Sequence, residues 1–148
     1  MSGTHAGFTQ EFAATVQGTR GALAEIMTRL RAIGVTDQQS GAVEITLAEA
    51  VNNIVEHAYH DVDSGMALIR ARVSDNVLWV LLVDEGTELP GAGLPDGKPA
   101  NIGTTRDDLP EGGFGWFMIR ALTRNVRYRR WQDRNHLRLV FDLIPEVR

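Results

Sequence analysis

Hydrophobic positions change their period along this chain, and each change marks an element. Leu23, Ile26, Met27, Leu30 and Ile33 recur at three- and four-residue steps, which predicts a helix over about 18–33 with Gly34 as its stop. A second stripe, Val43, Leu47, Val51, Ile54 and Ala58, predicts a helix from an N-cap at Asp37 to about Tyr59. Ahead of both, residues 8–15 read as a short edge-like strand. The period then changes. Ala67–Val73 and Val77–Val83, separated by Ser74-Asp75-Asn76, read as an antiparallel hairpin, and the almost unbroken apolar run of the second suits a central strand. A further helix over about 114–123 and two strands, near 125–131 and 136–144 around a turn at Gln132-Asp133-Arg134-Asn135, close the chain. Segregated helices and antiparallel strands imply an α+β two-layer sandwich, a mainly antiparallel sheet with helices packed on one face.

Residues 86–113 fit neither period. Four of the five prolines and seven of the fifteen glycines fall there, so a regular element is excluded. A loop this long inside a compact domain points to a functional lid or a disordered linker; as a lid it spans about 86–112.

Composition narrows the class. At 148 residues, 43% apolar and 23% charged, the chain reads as a single soluble domain, 1–148. With no cysteine, disulfides, thiol catalysis and thiolate metal sites are excluded. No apolar run is long enough to span a membrane, and the first ten residues lack a leader pattern, so a cytoplasmic protein without membrane contact is expected. The net charge of −4 conceals an asymmetry: residues 120–148 carry eight arginines against Asp133, Asp142 and Glu146. These arginines alternate with apolar residues, as the wet face of strands does, so no direct nucleic-acid contact is expected.

Three segments carry chemistry. In Leu47–Tyr59, Glu49 and Asn53 lie four apart and share a helix face, where a carboxylate and an amide oxygen suit proton handling and hard-cation ligation. Adjacent Asn52 and Asn53 are poor helix formers, a local inconsistency of the kind found at functional sites; a solvated polar stripe is the plainer alternative. In Val83-Asp84-Glu85-Gly86, a hydrophobic strand ends in a carboxylate that can accept from an exocyclic amine, and in a glycine that lets backbone approach a flat ring. An ordinary Asp-x-Gly turn explains it equally. In Glu111-Gly112-Gly113-Phe114-Gly115-Trp116, glycines at a helix start free N–H groups to face an anion, or act as a hinge.

In this order the three resemble the N-box, G1 box and G2 box of the GHKL ATPase superfamily. The closer resemblance is to the small anti-sigma-factor serine kinases of bacterial partner-switching systems. It covers nearly the whole chain and implies a Bergerat-type ATPase fold. It also implies ATP and Mg²⁺ as cofactors, with Glu49 as general base and Asn53 as the Mg²⁺ ligand. Asp84 matches the adenine-reading aspartate, with Gly86 beneath the base, and Gly113 and Gly115 match the glycines near the phosphates. Glu88 departs from the pattern, standing where a second G1 glycine is common. Arg20 matches a partner-contacting position. The implied partners are an anti-sigma antagonist, phosphorylated on serine, and a sigma factor. A homodimer is also implied, with Arg70, Arg72, Arg127 and Arg129 on the sheet side that would serve it. The competing reading is a regulatory module that holds nucleotide and binds partners without phosphotransfer; Glu49 speaks against it. A sensor histidine kinase ATPase domain would need a phosphoacceptor helix pair, for which this chain has no stretch, and His57 in the N-box helix reads as structural or as a polar neighbour of the nucleotide site rather than as a phosphoacceptor.

Overall fold

The computed structural model describes residues 6–58, 65–87 and 112–143. Strand β1 (Ala6–Ala13) leads into helix α1 (Val16–Ala32) and helix α2 (Asp37–Asn53), whose last turn widens into a π-helix over Ile54–Ala58. Strands β2 (Met66–Ser74) and β3 (Val77–Asp84) follow, then helix α3 (Gly112–Leu122) and strands β4 (Asn125–Trp131) and β5 (Arg134–Asp142). All strand pairs are antiparallel and the sheet order is β1-β2-β3-β5-β4, with β1 at an edge as expected. The expected lid falls largely on residues 88–111, outside the described residues.

Local chemistry explains the helix limits. Thr15 caps α1, its hydroxyl accepting from the Gly18 N–H, and Gly34 ends that helix at φ +127°, open to glycine at little cost. The N-cap of α2 is Thr36 rather than Asp37: Thr36 is extended and its hydroxyl accepts from the Gln39 N–H. Asp37 instead sits in the first turn, where a carboxylate favours the helix dipole.

The helices cover one sheet face. Ala67, Ile69 and Ala71 of β2, Leu78, Val80 and Leu82 of β3, and Leu137, Leu139 and Phe141 of β5 are buried against Ile26, Met27 and Leu30 of α1 and Val43, Leu47 and Val51 of α2. Ile119 brings α3 into the same core. On the opposite face Arg70, Arg72, Arg127, Arg129 and Arg138 are exposed, as the alternation predicts. There Arg72 lies over the Trp79 ring at 5.5 Å and Arg129 over Trp131 at 5.4 Å, contacts that keep both indoles partly covered.

One turn differs from the expectation with consequences for chemistry. The final hairpin turns on two residues, Gln132 (φ +54°) and Asp133 (φ +62°), not on four. Paired positive-φ residues give the twist that suits a two-residue hairpin, and Asp75 and Asn76 do the same between β2 and β3. Arg134 and Asn135 therefore belong to β5, and Asn135 lies directly opposite Asp84.

Candidate functional site

Asp84 is the last residue of β3 and follows Leu78, Val80 and Leu82 on the covered face, so the pleat carries its carboxylate under the helices. It is 4% exposed. Its Oδ1 accepts from the Gly86 N–H and from the Asn135 Nδ2, both at 2.8 Å. Burial pushes the carboxyl pKa above its ordinary range. The Asn135 and Gly86 hydrogen bonds, then the charges of Arg130 and His136, oppose that rise without cancelling it.

This sets a stability expectation with a definite sign. An acid whose folded-state pKa is raised destabilises the fold when ionised, above the folded pKa, and that cost vanishes below the unfolded value. Asp84→Asn keeps an oxygen for both donors and removes the buried charge. The variant should therefore melt higher than wild type at pH 7. Thermal unfolding from pH 7 to pH 4 should show the gap closing as pH falls; a gap that widens would refute the assignment.

Asn53 closes α2 at the point where the helix widens, and π-bulges of this kind recur at functional sites. The two asparagines part company: Asn52 is exposed, whereas Asn53 is 4% exposed with its Nδ2 enclosed and unpartnered. A solvated polar stripe does not account for a buried amide with unmet hydrogen bonds. Glu49, one turn earlier, is half-buried and has no hydrogen-bond or ion-pair partner among the described residues. Gly113 and Gly115 lie in the first turn of α3, which starts two residues earlier than the periodicity predicts.

A narrow cavity of about 20 Å³ joins these elements, lined by Asn53 and Ile54, by Asp84, by Trp116 of α3, by Tyr128 of β4 and by Asn135 of β5. That volume admits about one water, so a larger ligand needs the cavity to widen. A roomier concavity, about 530 Å³, lies on the open sheet face among Thr9, Arg70, Arg72, Trp79 and Arg138. It holds none of the buried polar groups, whereas Asn53, Asp84 and Asn135 all line the smaller one. The structure thus brings Asn53 and Asp84 to one cavity. Gly86 is buried beside it, held to Asp84, and Glu49 lies one helical turn away.

Sequence reasoning missed Asn135, Tyr128, Arg130 and Trp116. The available signal was the alternation Asn135, Leu137, Leu139, Phe141, which continues the covered face of β5 one step further back.

Among the described residues no three His, Asp or Glu side chains converge on a metal position. A cation such as Mg²⁺ keeps several waters and takes one or two protein ligands alongside phosphate oxygens. Asn53 could offer its amide oxygen to such a cation, while its orphaned Nδ2 is a donor that faces the cavity without an acceptor. No helix among the described residues is long and apolar enough to cross a membrane.

The sequence pattern of the histidine kinase-like ATPase domain matches residues 12–141. The serine-protein kinase RsbW of Bacillus subtilis is 32% identical over 100 residues, covering 64% of this chain and 60% of that protein. RsbW of Oceanobacillus iheyensis is 28% identical over 108 residues, 68% of each chain. The chain spans about 60% of the length of the Bacillus subtilis and Bacillus velezensis relatives it matches. Among solved structures, the RsbU and RsbW domains of a Mycobacterium tuberculosis protein superpose with a TM-score of 0.68. That likeness has 19% identity and covers 97% of this chain and 34% of the other. The histidine kinase domain of a blue-light activated kinase from Erythrobacter litoralis gives 0.54 at 17% identity, over 83% and 60%. At these identities the structural likenesses speak for the fold: a five-stranded antiparallel sheet with helices on one side, as expected.

Proposed function

The chain belongs to the histidine kinase-like ATPase domain family, and from that premise we propose that it is an ATP-dependent protein serine kinase and anti-sigma factor. Its substrate is a serine of an anti-sigma antagonist protein and its second partner a sigma factor. It works as a cytoplasmic homodimer. The observation that carries the nucleotide reading is the joint burial of Asn53 and Asp84 at one cavity between α2, β3 and α3. The relatives named serine-protein kinase support the reaction class.

Each residue has a distinct task. Asp84 Oδ1 is already engaged by two donors, which leaves Oδ2 to accept from the exocyclic amine of adenine. Gly86 lets the backbone approach the ring face. The first-turn N–H groups at Gly113 and Gly115, at the positive end of the α3 dipole, bind phosphate oxygens. Asn53 holds Mg²⁺, which neutralises phosphate charge when bound. Glu49 accepts the proton of the attacking serine hydroxyl. The product phosphoserine carries roughly −1.5 to −2 charge, enough to break the antagonist's own complex and release the kinase to hold the sigma factor.

Calorimetry tests the nucleotide half. Wild type should bind ATP and ADP more tightly with Mg²⁺. In Asp84→Asn the two donors hold the amide oxygen at the Oδ1 position, which forces Nδ2 to face the adenine amine. The donor–donor clash should weaken ATP binding by about 1–3 kcal/mol. Asn53→Ala should lose most of the Mg²⁺-dependent gain. Wild-type affinity in Asp84→Asn would remove adenine from the assignment.

A further inference from the structure

Asn135 is the hub of a buried polar network. Its Nδ2 donates to Asp84 Oδ1 at 2.8 Å and to the Thr87 carbonyl at 3.0 Å. Its Oδ1 accepts from the Tyr128 hydroxyl and from Arg130 Nη1, the latter at 3.0 Å. Arg130 Nη1 also donates to the Gly86 carbonyl at 2.7 Å. Two donors on Oδ1 fix which way round the amide sits: a flip would set Asn135 Oδ1 against the Asp84 oxygen and an N–H group against Arg130. Asn135 is 4% exposed, so water cannot replace these bonds.

We propose that Asn135, oriented by Arg130 and Tyr128, is the specificity-determining residue of the pocket. It holds Asp84 so that the carboxylate offers a single acceptor oxygen, which selects a base edge bearing an amino group over one bearing an oxo group. The inference rests on the nucleotide reading above and names what sets its base preference. An amino edge, as in adenine, donates to the free Oδ2; an oxo edge, as in guanine, meets it lone pair to lone pair. The selection holds only while Asp84 is ionised, because a protonated carboxyl would itself donate to an oxo group. Among the described residues the charged and titratable groups around Asp84 are Arg130 and Tyr128 from β4 and His136 from β5; Arg130 and His136 favour ionisation, and the Tyr128 hydroxyl is engaged by Asn135. The cavity residues from α2 and α3, Asn53, Ile54 and Trp116, carry no charge. Asn135 opposes the effect of burial more than any of the others. The same network ties the chain leaving β3, at Gly86 and Thr87, to the β4–β5 hairpin.

The test measures ATP and GTP affinities of the full chain with Mg²⁺ from pH 8 to pH 6. Wild type should prefer ATP, and its preference should fall less on lowering the pH than that of Asn135→Ala, because Asn135 opposes the rise that burial causes at Asp84. Asn135→Ala should bind ATP about 10- to 100-fold more weakly, the range for a lost hydrogen bond to a charged group, and its ATP-to-GTP preference should shrink further as pH falls. Asn135→Ser, which still has a proton to give Asp84, should recover part of the preference. Arg130→Met frees the amide to turn and should reduce the preference by about 3- to 10-fold; Arg130 lies outside the apolar core, so this variant carries the test if Asn135→Ala does not fold. A folded Asn135→Ala with the preference and the pH profile of wild type would overturn the proposal while leaving Asp84 in its role. Absence of ATP binding by wild type would overturn the nucleotide reading itself.

Discussion

Glu49→Gln should lower phosphate transfer to serine on the order of 10²- to 10⁴-fold while ATP still binds. Glutamine keeps the size and polarity of the side chain but cannot take a proton. Glu49 stands half-buried on α2, one turn before Asn53, with no partner among the described residues to neutralise or divert its carboxylate. A loose phosphoryl-transfer transition state asks little of a base, which favours the lower end of the range. Asn53→Ala should act differently, raising the ATP requirement as well as lowering the rate, because it removes a metal ligand rather than a proton acceptor. Labelled phosphate followed from ATP onto the purified antagonist, at saturating and limiting ATP, separates the two. Full transfer by Glu49→Gln would take that residue out of the chemistry. Nucleotide binding by wild type without transfer to any partner would leave a binding module.

Leu139→Ala should cost about 2–5 kcal/mol of stability and lower Tm by roughly 5–15 °C for a domain of this size. Leu139 is fully buried on β5, paired with Val80 of β3 on one side and Val126 of β4 on the other. It sits where the sheet meets the helices, so truncation opens a cavity that neighbours on two strands cannot both close. Val77→Ala, at the half-buried start of β3, should cost well under half as much. Denaturant titrations should show a lower midpoint with unchanged slope for Leu139→Ala; equal effects from the two substitutions would contradict the core assignment. Nucleotide affinity of folded Leu139→Ala should stay near wild type, since Leu139 does not line the cavity.

Much of the architecture was legible because its causes are local. Apolar spacing in residues 18–33 and 37–58 is a property of adjacent turns, and the helices form within a residue or two of where the spacing puts them. Paired turn residues at Asp75-Asn76 set the first hairpin in the same way. Departures were local as well. Thr36 displaced Asp37 as cap because a hydroxyl on an extended residue reaches the third N–H, whereas the carboxylate one residue later already lies inside the helix.

The sequence by itself determined the α+β class, the three chemistry-bearing segments, and the residue types at Glu49, Asn53 and Asp84. Only the tertiary structure decided which of the two adjacent asparagines is buried, because a helix presents both to some surface and the packing of α2 on the sheet chooses between them. It also decided that Asn135 belongs to the site. Asp84 and Asn135 are 51 residues apart, and nothing in either neighbourhood refers to the other. Their contact follows from β5 lying beside β3 and from a hairpin turning on two residues rather than four, a register that places every second residue of β5 under the helices.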